Sequence, residues 1–324
     1  MLWMALLGVG LIAGVAFIID DDDDDNISSD TDGGSDTSGG GDTGGGDTGG
    51  GDDTGGTDTG GGDSIDPFTG ASGDDEIVGD ETDNTILGKN GTDNLDGGDG
   101  DDRVFGDGGH DTVQGGAGDD SVFGGHGNDL VMGGEDDDQS RGGRDDDVLI
   151  DATGTDTLHG DGGNDVIVAS GTMDATAEAE FLANPEPDNG IANLLDQLQI
   201  DFSDDSDTEG DHVFGGSGDD TVIFGVNDTV TGGSGADTLL TASWLEGGDA
   251  ATVTDFTPDE DRLIYAYDPA DGEPDLSMEM VENDDGTSDA VISANGAVVI
   301  RVEDQDDSFD LAEHLLLVNG VRSG

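Results

Sequence analysis

Twelve aspartates stand at one fixed place in a glycine-rich nonapeptide: Asp75, Asp93, Asp102, Asp111, Asp120, Asp129, Asp138, Asp147, Asp156, Asp165, Asp220 and Asp237. Glycines beside them permit positive φ and a tight turn in which backbone carbonyls point at one spot. A carboxylate at a constant offset joins those carbonyls as a hard oxygen ligand. Ca²⁺ accepts roughly six to eight such oxygens in irregular geometry, whereas Mg²⁺ demands a stricter octahedron. The plainer reading of an Asp in a Gly-rich stretch is a turn residue. One offset held through a long row of turns, beside a matching row of aliphatic side chains, is better explained by ligation.

The row is explicit when the chain is cut every nine residues from Gly70. Eleven unbroken units run to Val168, from GASGDDEIV through GGAGDDSVF to GDGGNDVIV. Gly opens ten of them, and Asp151 opens the other. The sixth residue is Asp in ten, with Asn84 the exception, and the eighth is Ile, Leu or Val in ten, with Ser140 the exception. With 31% of the chain hydrophobic, chance gives such a column on the order of 10⁻⁴ of the time in one register. One aliphatic residue per unit cannot fold a unit alone. Stacked units would place Ile77, Ile86, Leu95, Val104, Val113, Val122, Val131, Leu149, Leu158 and Ile167 in a single inward ladder.

These units match G-G-x-G-x-D-x-U-x and resemble the RTX, or haemolysin-type, calcium-binding nonapeptide repeat family. The resemblance resumes at Gly215–Ile223 and Gly232–Leu240, with the eight-residue FGVNDTVT between them. It implies an all-β fold, a parallel β-roll with two units per coil and alternate units feeding opposite sheets. It also implies several Ca²⁺ ions, each seated between turns of neighbouring coils. Eleven units, the last two lacking a partner two units on, allow at most nine such sites. Thr82, Asp136 and Asp145 replace Gly at the fourth position, so those turns are expected to be weak or altered. At about 4.8 Å per coil the first block would be roughly 26 Å long.

Other chemistry is poorly served. His110, His126, His159, His212 and His314 form no H-E-x-x-H, no G-x-S-x-G elbow is present, and Lys89 is not in a phosphate-loop context. Carboxylates are so many that no acid/base pair stands out. The expectation is a protein without catalysis.

Composition sets the remaining limits. Eighty Asp and Glu against seven Lys and Arg give a net charge of −73. Phosphate contacts need clustered cations, so nucleic acid is excluded as a partner. Such a charge keeps a chain expanded unless something neutralises it. Cysteine is absent, so neither a disulfide framework nor a thiolate site exists.

The apolar run Met1 to Ile19 would span about 28 Å as a helix, which suits a membrane anchor or a signal segment. Residues 20–69, rich in Asp, Gly and Thr, read as a disordered linker. Residues 70–168 form the first repeat block and 206–249 the second. Between them, 169–205 carries Ile191, Leu194, Leu195 and Leu198 at helical spacing, a short insert that would cover one face or edge of the solenoid. Residues 250–324 alternate as strands, at Ala251–Phe256, Arg262–Tyr267, Leu276–Val281, Ala290–Ser293 and Ala297–Val302, with Asn295-Gly296 as a hairpin turn. They make a β-rich C-terminal cap. Within it, Val253–Leu263 resembles the D-F-x-x-G-x-D stretch that follows RTX arrays, with Asp259 in place of Gly. The reading is a calcium-binding bacterial protein, extracellular or at the cell surface. The alternative is an adhesin-like binding module that contacts a protein or polysaccharide through the insert or the C-terminal strands.

Overall fold

Short strands carrying one inward aliphatic side chain each can build a core only by stacking, and the chain stacks them along two walls. In the computed structural model, which describes residues 68–151, 153–170, 209–242, 245, 249–267, 269–306 and 309–319, alternate strands enter opposite sheets. The first sheet runs β1 (Phe68–Thr69), β3 (Thr85–Gly91), β5 (Arg103–Gly109), β7 (Ser121–His126), β9 (Gln139–Arg144), β11 (Thr157–Gly162), β13 (His212–Ser217), β15 (Thr229–Ser234), β17 (Ala251–Val253), β21 (Ala297–Val302), β20 (Ser288–Ala294) and β19 (Leu276–Glu282). The second runs β2 (Glu76–Val78), β4 (Asn94–Asp99), β6 (Thr112–Ala117), β8 (Leu130–Glu135), β10 (Val148–Asp151), β12 (Val166–Ala169), β14 (Thr221–Phe224), β16 (Thr238–Ala242), β18 (Arg262–Tyr267) and β22 (Leu315–Asn319). Pairing is parallel at a spacing of two units, as in Val104↔Val122 and Val113↔Val131. This is the parallel β-roll that the resemblance implies.

The ladder occupies the space between the walls. Ile86, Leu95, Val104, Val113, Val122, Val131, Leu149, Leu158 and Ile167 are fully buried. Ile77 is half-buried, because among the described residues β2 ends its sheet. Ser140 takes the place of one rung, between Val122 and Leu158. After β12 the ladder resumes in register, Leu158↔Val213 and Ile167↔Val222. The intervening segment therefore leaves the stacking intact. Val122→Asp should destabilise the calcium-loaded fold by ~3 kcal/mol or more, since it buries an unpaired charge. Ser121→Asp, one residue earlier on the outward side, should cost less than ~1 kcal/mol. Denaturant titration of the two variants in calcium checks this, and equal losses would mean the register is wrong.

Several features depart from the sequence reading. Most of the repeat strands are longer than three residues, because the first two residues of the next unit, often both Gly, continue the pairing, as in Gly125↔Gly143. β1 lies inside the stretch read as linker, with Phe68 opposite Ile86. The outward side chains of β8, β10 and β12 in the second sheet, Leu130, Met132, Val148, Ile150, Val166 and Val168, are buried as well. Their triplets are apolar throughout, which is how a parallel strand covered on both faces reads. From Ala251 onward the chain extends both sheets: β17 pairs with β15, β18 with β16, and β22 with β18. Only β19 and β20 turn antiparallel, joined to β21 through Asn295-Gly296. A single turn of helix, α1 (Leu311–His314), capped by Asp310, precedes β22, and neither was expected.

Met1 to Ile19, with the membrane contact expected of it, and the helix expected around Ile191–Leu198 lie outside the described residues. Among the described residues no helix is long and apolar enough to cross a membrane.

Candidate metal centre

Each coil is closed by two turns, and each turn delivers a sixth-position Asp to the foot of the next strand. In the unit 115–123, Gly116 and Gly118 take φ of 124° and 123°, where side-chain-bearing residues are strained. A Cβ on Gly118 would also come 2.6 Å from the carbonyl oxygen of Gly100 in the coil before. Where the fourth residue is Asp, the bend survives: Asp136 and Asp145 adopt φ of 76° and 74°. Aspartate tolerates the left-handed region better than most residues, so these two turns bend, though at a smaller φ than the fourth-position glycines, which lie between 107° and 156°, and Thr82 does not take positive φ.

The sixth-position residues form two continuous columns, one along each edge of the roll. On one, the Asn84 N–H donates to Asp102 Oδ1, and the series continues through Asp120, Asp138 and Asp156 at 2.7–2.9 Å. On the other, the Asp75 N–H donates to Asp93 Oδ1, followed by Asp111, Asp129, Asp147, Asp165, Asp220 and Asp237 at 2.8–3.0 Å. Each coil thus anchors one carboxylate oxygen of the next. The other oxygen, Oδ2, is buried and has no hydrogen-bond partner in Asp93, Asp102, Asp111, Asp120, Asp129, Asp138, Asp147, Asp156, Asp165, Asp220 and Asp237. Of the twelve aspartates singled out in the sequence, only Asp75, at the end coil, stands outside this set.

The space beside these oxygens is preserved by the first glycine of the unit. A Cβ on Gly106 would fall 2.5 Å from Asp111 Oδ2 and 2.6 Å from the Gly124 carbonyl oxygen. One on Gly124 would fall 2.6 Å from Asp129 Oδ2 and 2.8 Å from the Gly142 carbonyl oxygen. A carboxylate and a carbonyl from the following coil therefore converge under each of these glycines.

Leaving a buried carboxylate oxygen without a donor is costly. The cost is visible in the acidities. Burial pushes Asp102 and Asp111 up to about 6, Asp120 and Asp129 to about 7, Asp138 to about 8 and Asp147 to about 9. The N–H of the preceding coil pulls each downward, and neighbouring carboxylates push it further up. A divalent cation fits this set. It would accept the idle Oδ2 and the converging carbonyls and supply the charge the columns lack. All donors are hard oxygens, which suits Ca²⁺ over thiolate- or imidazole-seeking metals.

The model of the RTX calcium-binding nonapeptide repeat matches residues 60–95, 69–104, 78–113, 105–140, 141–171, 207–226 and 227–242. The array is an RTX array. RTX repeats are a calcium-binding family, and the buried aspartates described above sit in the repeat's own pattern. Among solved structures, the chain is similar to the extracellular lipase LipA from Serratia marcescens. The two are 15% identical, with a TM-score of 0.21, over 76% of this chain and 40% of that one. The chain thus spans less than half of that lipase, and the likeness carries no weight for function. No curated protein matches the chain in sequence.

The RTX columns also contain residues that nonapeptide counting misses. Asp211 accepts the Asp156 N–H, Asp228 the Asp211 N–H and Asp261 the Asp237 N–H. Asp211 lies in a unit without a first glycine, and Asp228 in the eight-residue unit. The signal was present in each case as an Asp two residues before Val213, Val230 and Leu263. Asp255, from the D-F-x-x-G-x-D-like stretch, accepts the N–H groups of Gly232 and Gly233. The histidines play other parts: His159 stacks on Phe214, and His314 Nδ1 accepts the Asp310 N–H.

Proposed function

We propose that this chain is a non-catalytic, calcium-binding RTX protein, extracellular or at the cell surface, whose array folds on binding Ca²⁺. The observation that carries the reading is the stack of buried Oδ2 atoms without donors, seven of them (Asp93, Asp102, Asp111, Asp120, Asp129, Asp165 and Asp220) converging with a carbonyl oxygen of the next coil under the first glycine of the unit. The proposed ligands are the carboxylates of Asp75, Asp93, Asp102, Asp111, Asp120, Asp129, Asp138, Asp147, Asp156, Asp165, Asp220 and Asp237, together with turn carbonyls. Bound Ca²⁺ supplies positive charge and ties adjacent coils. The chain's own groups hold it: Oδ1 fixes each carboxylate to the coil before, and the glycine leaves room for the ion. Extracellular modules bind calcium at about 10⁻⁴–10⁻³ M, a level met outside cells rather than in cytoplasm, and this supports the location.

Metal-stripped protein dialysed against calcium should take up several ions per chain, and against magnesium of equal ionic strength far fewer. Equal uptake of both would sink calcium specificity. In cells producing the chain, external protease in calcium-free buffer should cut the array without lysis. Protection until lysis would overturn the location.

A further inference from the structure

One of the eleven contiguous units lacks its first glycine, and one lacks its aliphatic eighth residue. The fold brings these two exceptions together. Asp151 stands where glycine is the rule, and Ser140 where an aliphatic side chain is the rule, with Ser140 Oγ 3.5 Å from Asp151 Oδ2. Both are buried, Ser140 completely and Asp151 to 2% exposure. From the end of β10 the Asp151 carboxylate passes beneath Gly133, the first glycine of the coil before, where Asp138 also points. Carboxylate oxygens of Asp138, Asp151 and Asp156 all lie within 4.8 Å of one another.

Only a proton could satisfy this group from within the protein: Asp151 and Asp156 lie within hydrogen-bonding reach of each other, a contact that needs one of the two carboxyls protonated. Asp138 and Asp156 spend Oδ1 on the N–H groups of Asp120 and Asp138. Their Oδ2 atoms are buried without donors. Asp151 receives only two long hydrogen bonds, from the Gly134 N–H at 3.4 Å and from Ser140. The charged groups that bear on it are Asp156, Asp138 and Asp211, carboxylates all. Arg141, next to Ser140, pairs with Asp161 on the exposed side instead. Three carboxylates buried this close cannot all stay ionised without a cation.

We propose that Asp138, Asp151 and Asp156 hold a Ca²⁺ ion of their own between two coils, with Ser140 orienting Asp151. This rests on the RTX reading, because two of the three belong to the repeat's sixth position. It differs from that reading in donor set: three carboxylates replace the carboxylate-and-carbonyl turn. The added negative ligand makes this site about tenfold or more tighter than its neighbours, so its ion leaves last. The ion also bridges the coil where Ser140 interrupts the ladder, and so pins the array at its least apolar rung.

The test uses the full chain and Ca²⁺ alone as probe. Calcium-loaded protein is dialysed against rising chelator, and ions per chain are counted by atomic emission beside calorimetric titration. Wild type should retain one ion at a chelator level that strips the rest. Asp151→Gly restores the repeat's own residue, and Asp151→Asn keeps the volume without the charge. In Asp151→Gly, where an ordinary repeat turn remains, that ion should be stripped together with the others, and in Asp151→Asn it should be weakened about tenfold or more, with the other affinities within about twofold in both. Retention of the tightest ion in Asp151→Asn would overturn the proposal. So would a protonated carboxyl band in calcium-saturated wild type that vanishes in Asp151→Gly, because a proton would then fill the site. A wild type that binds no calcium would instead remove the RTX reading itself.

Discussion

Stripped of calcium at neutral pH, the array should lose most of its β signal, and millimolar Ca²⁺ should restore it in one cooperative step with compaction. The fold stacks two columns of carboxylates, and coils repeat at about 4.8 Å. A further exposed row at the fifth position, Asp101, Asp119 and Asp137, is stacked beside them, each N–H here donating to the carboxylate of the coil before. With a net charge of −73, repulsion among these rows opposes the compact state. One inward aliphatic rung per unit, with outward apolar burial added only in β8, β10 and β12 of the first block, is a small return for the chain entropy of nine residues. Only the ion closes that gap, so binding and folding are coupled. The radius of the array should fall roughly twofold on calcium addition, and Mg²⁺ at equal ionic strength should do far less, because screening alone does not fill the Oδ2 sites. Asp120→Ala, at the middle of one column, should raise the calcium midpoint severalfold, since it removes an oxygen ligand and the acceptor of the Asp102 N–H. Circular dichroism and small-angle scattering across a calcium titration measure all of this. A calcium-free sample with the same β content and radius as the loaded one would end the ligation argument and leave only the architecture.

The roll was legible because its period is strict. Nine residues with one aliphatic and one Asp at constant offsets determine which side chains face inward, and every rung from Ile86 to Ile167, Ser140 aside, is buried as that period requires. Legibility fails where the period does. Asp211, Asp228 and Asp261 join the columns through units of other lengths, so counting in nines passes over them although the local Asp-x-aliphatic pattern persists. The C-terminal strands were visible by alternation, but alternation carries no information on partners. It could not show β17, β18 and β22 adding to the roll rather than forming a sheet of their own. Asp151 is the sharper case. In the sequence it stands out only as the one unit-opening residue that is not Gly, and only folding shows it buried against Ser140. The outward apolar triplets of the second sheet, such as Val148–Ile150, carried a legible signal of two-sided burial that the ladder argument did not use.

Acid should partly replace calcium. The sixth-position carboxyls are raised by burial, to about 6 in Asp102, about 7 in Asp120 and about 8 in Asp138, against about 3.9 in an unfolded chain. Between these values the calcium-free fold holds protons that the unfolded chain releases. Its stability therefore falls as pH rises and grows as pH falls. The contribution is complete below about pH 4 and lost as pH climbs through 6 to 8. Metal-stripped protein, unfolded at pH 8, should thus gain β signal as pH is lowered toward 5. That endpoint is kept above the isoelectric point near 4.1. Calcium reverses the dependence, because the ion needs the same oxygens deprotonated. The calcium midpoint should accordingly rise by about tenfold or more between pH 8 and pH 5. Asp120→Asn carries no titrating group at its position and should flatten both trends without abolishing them. Stripped protein that stays unfolded from pH 8 to 5, or a calcium midpoint indifferent to pH, would show that the buried carboxylates do not govern the transition.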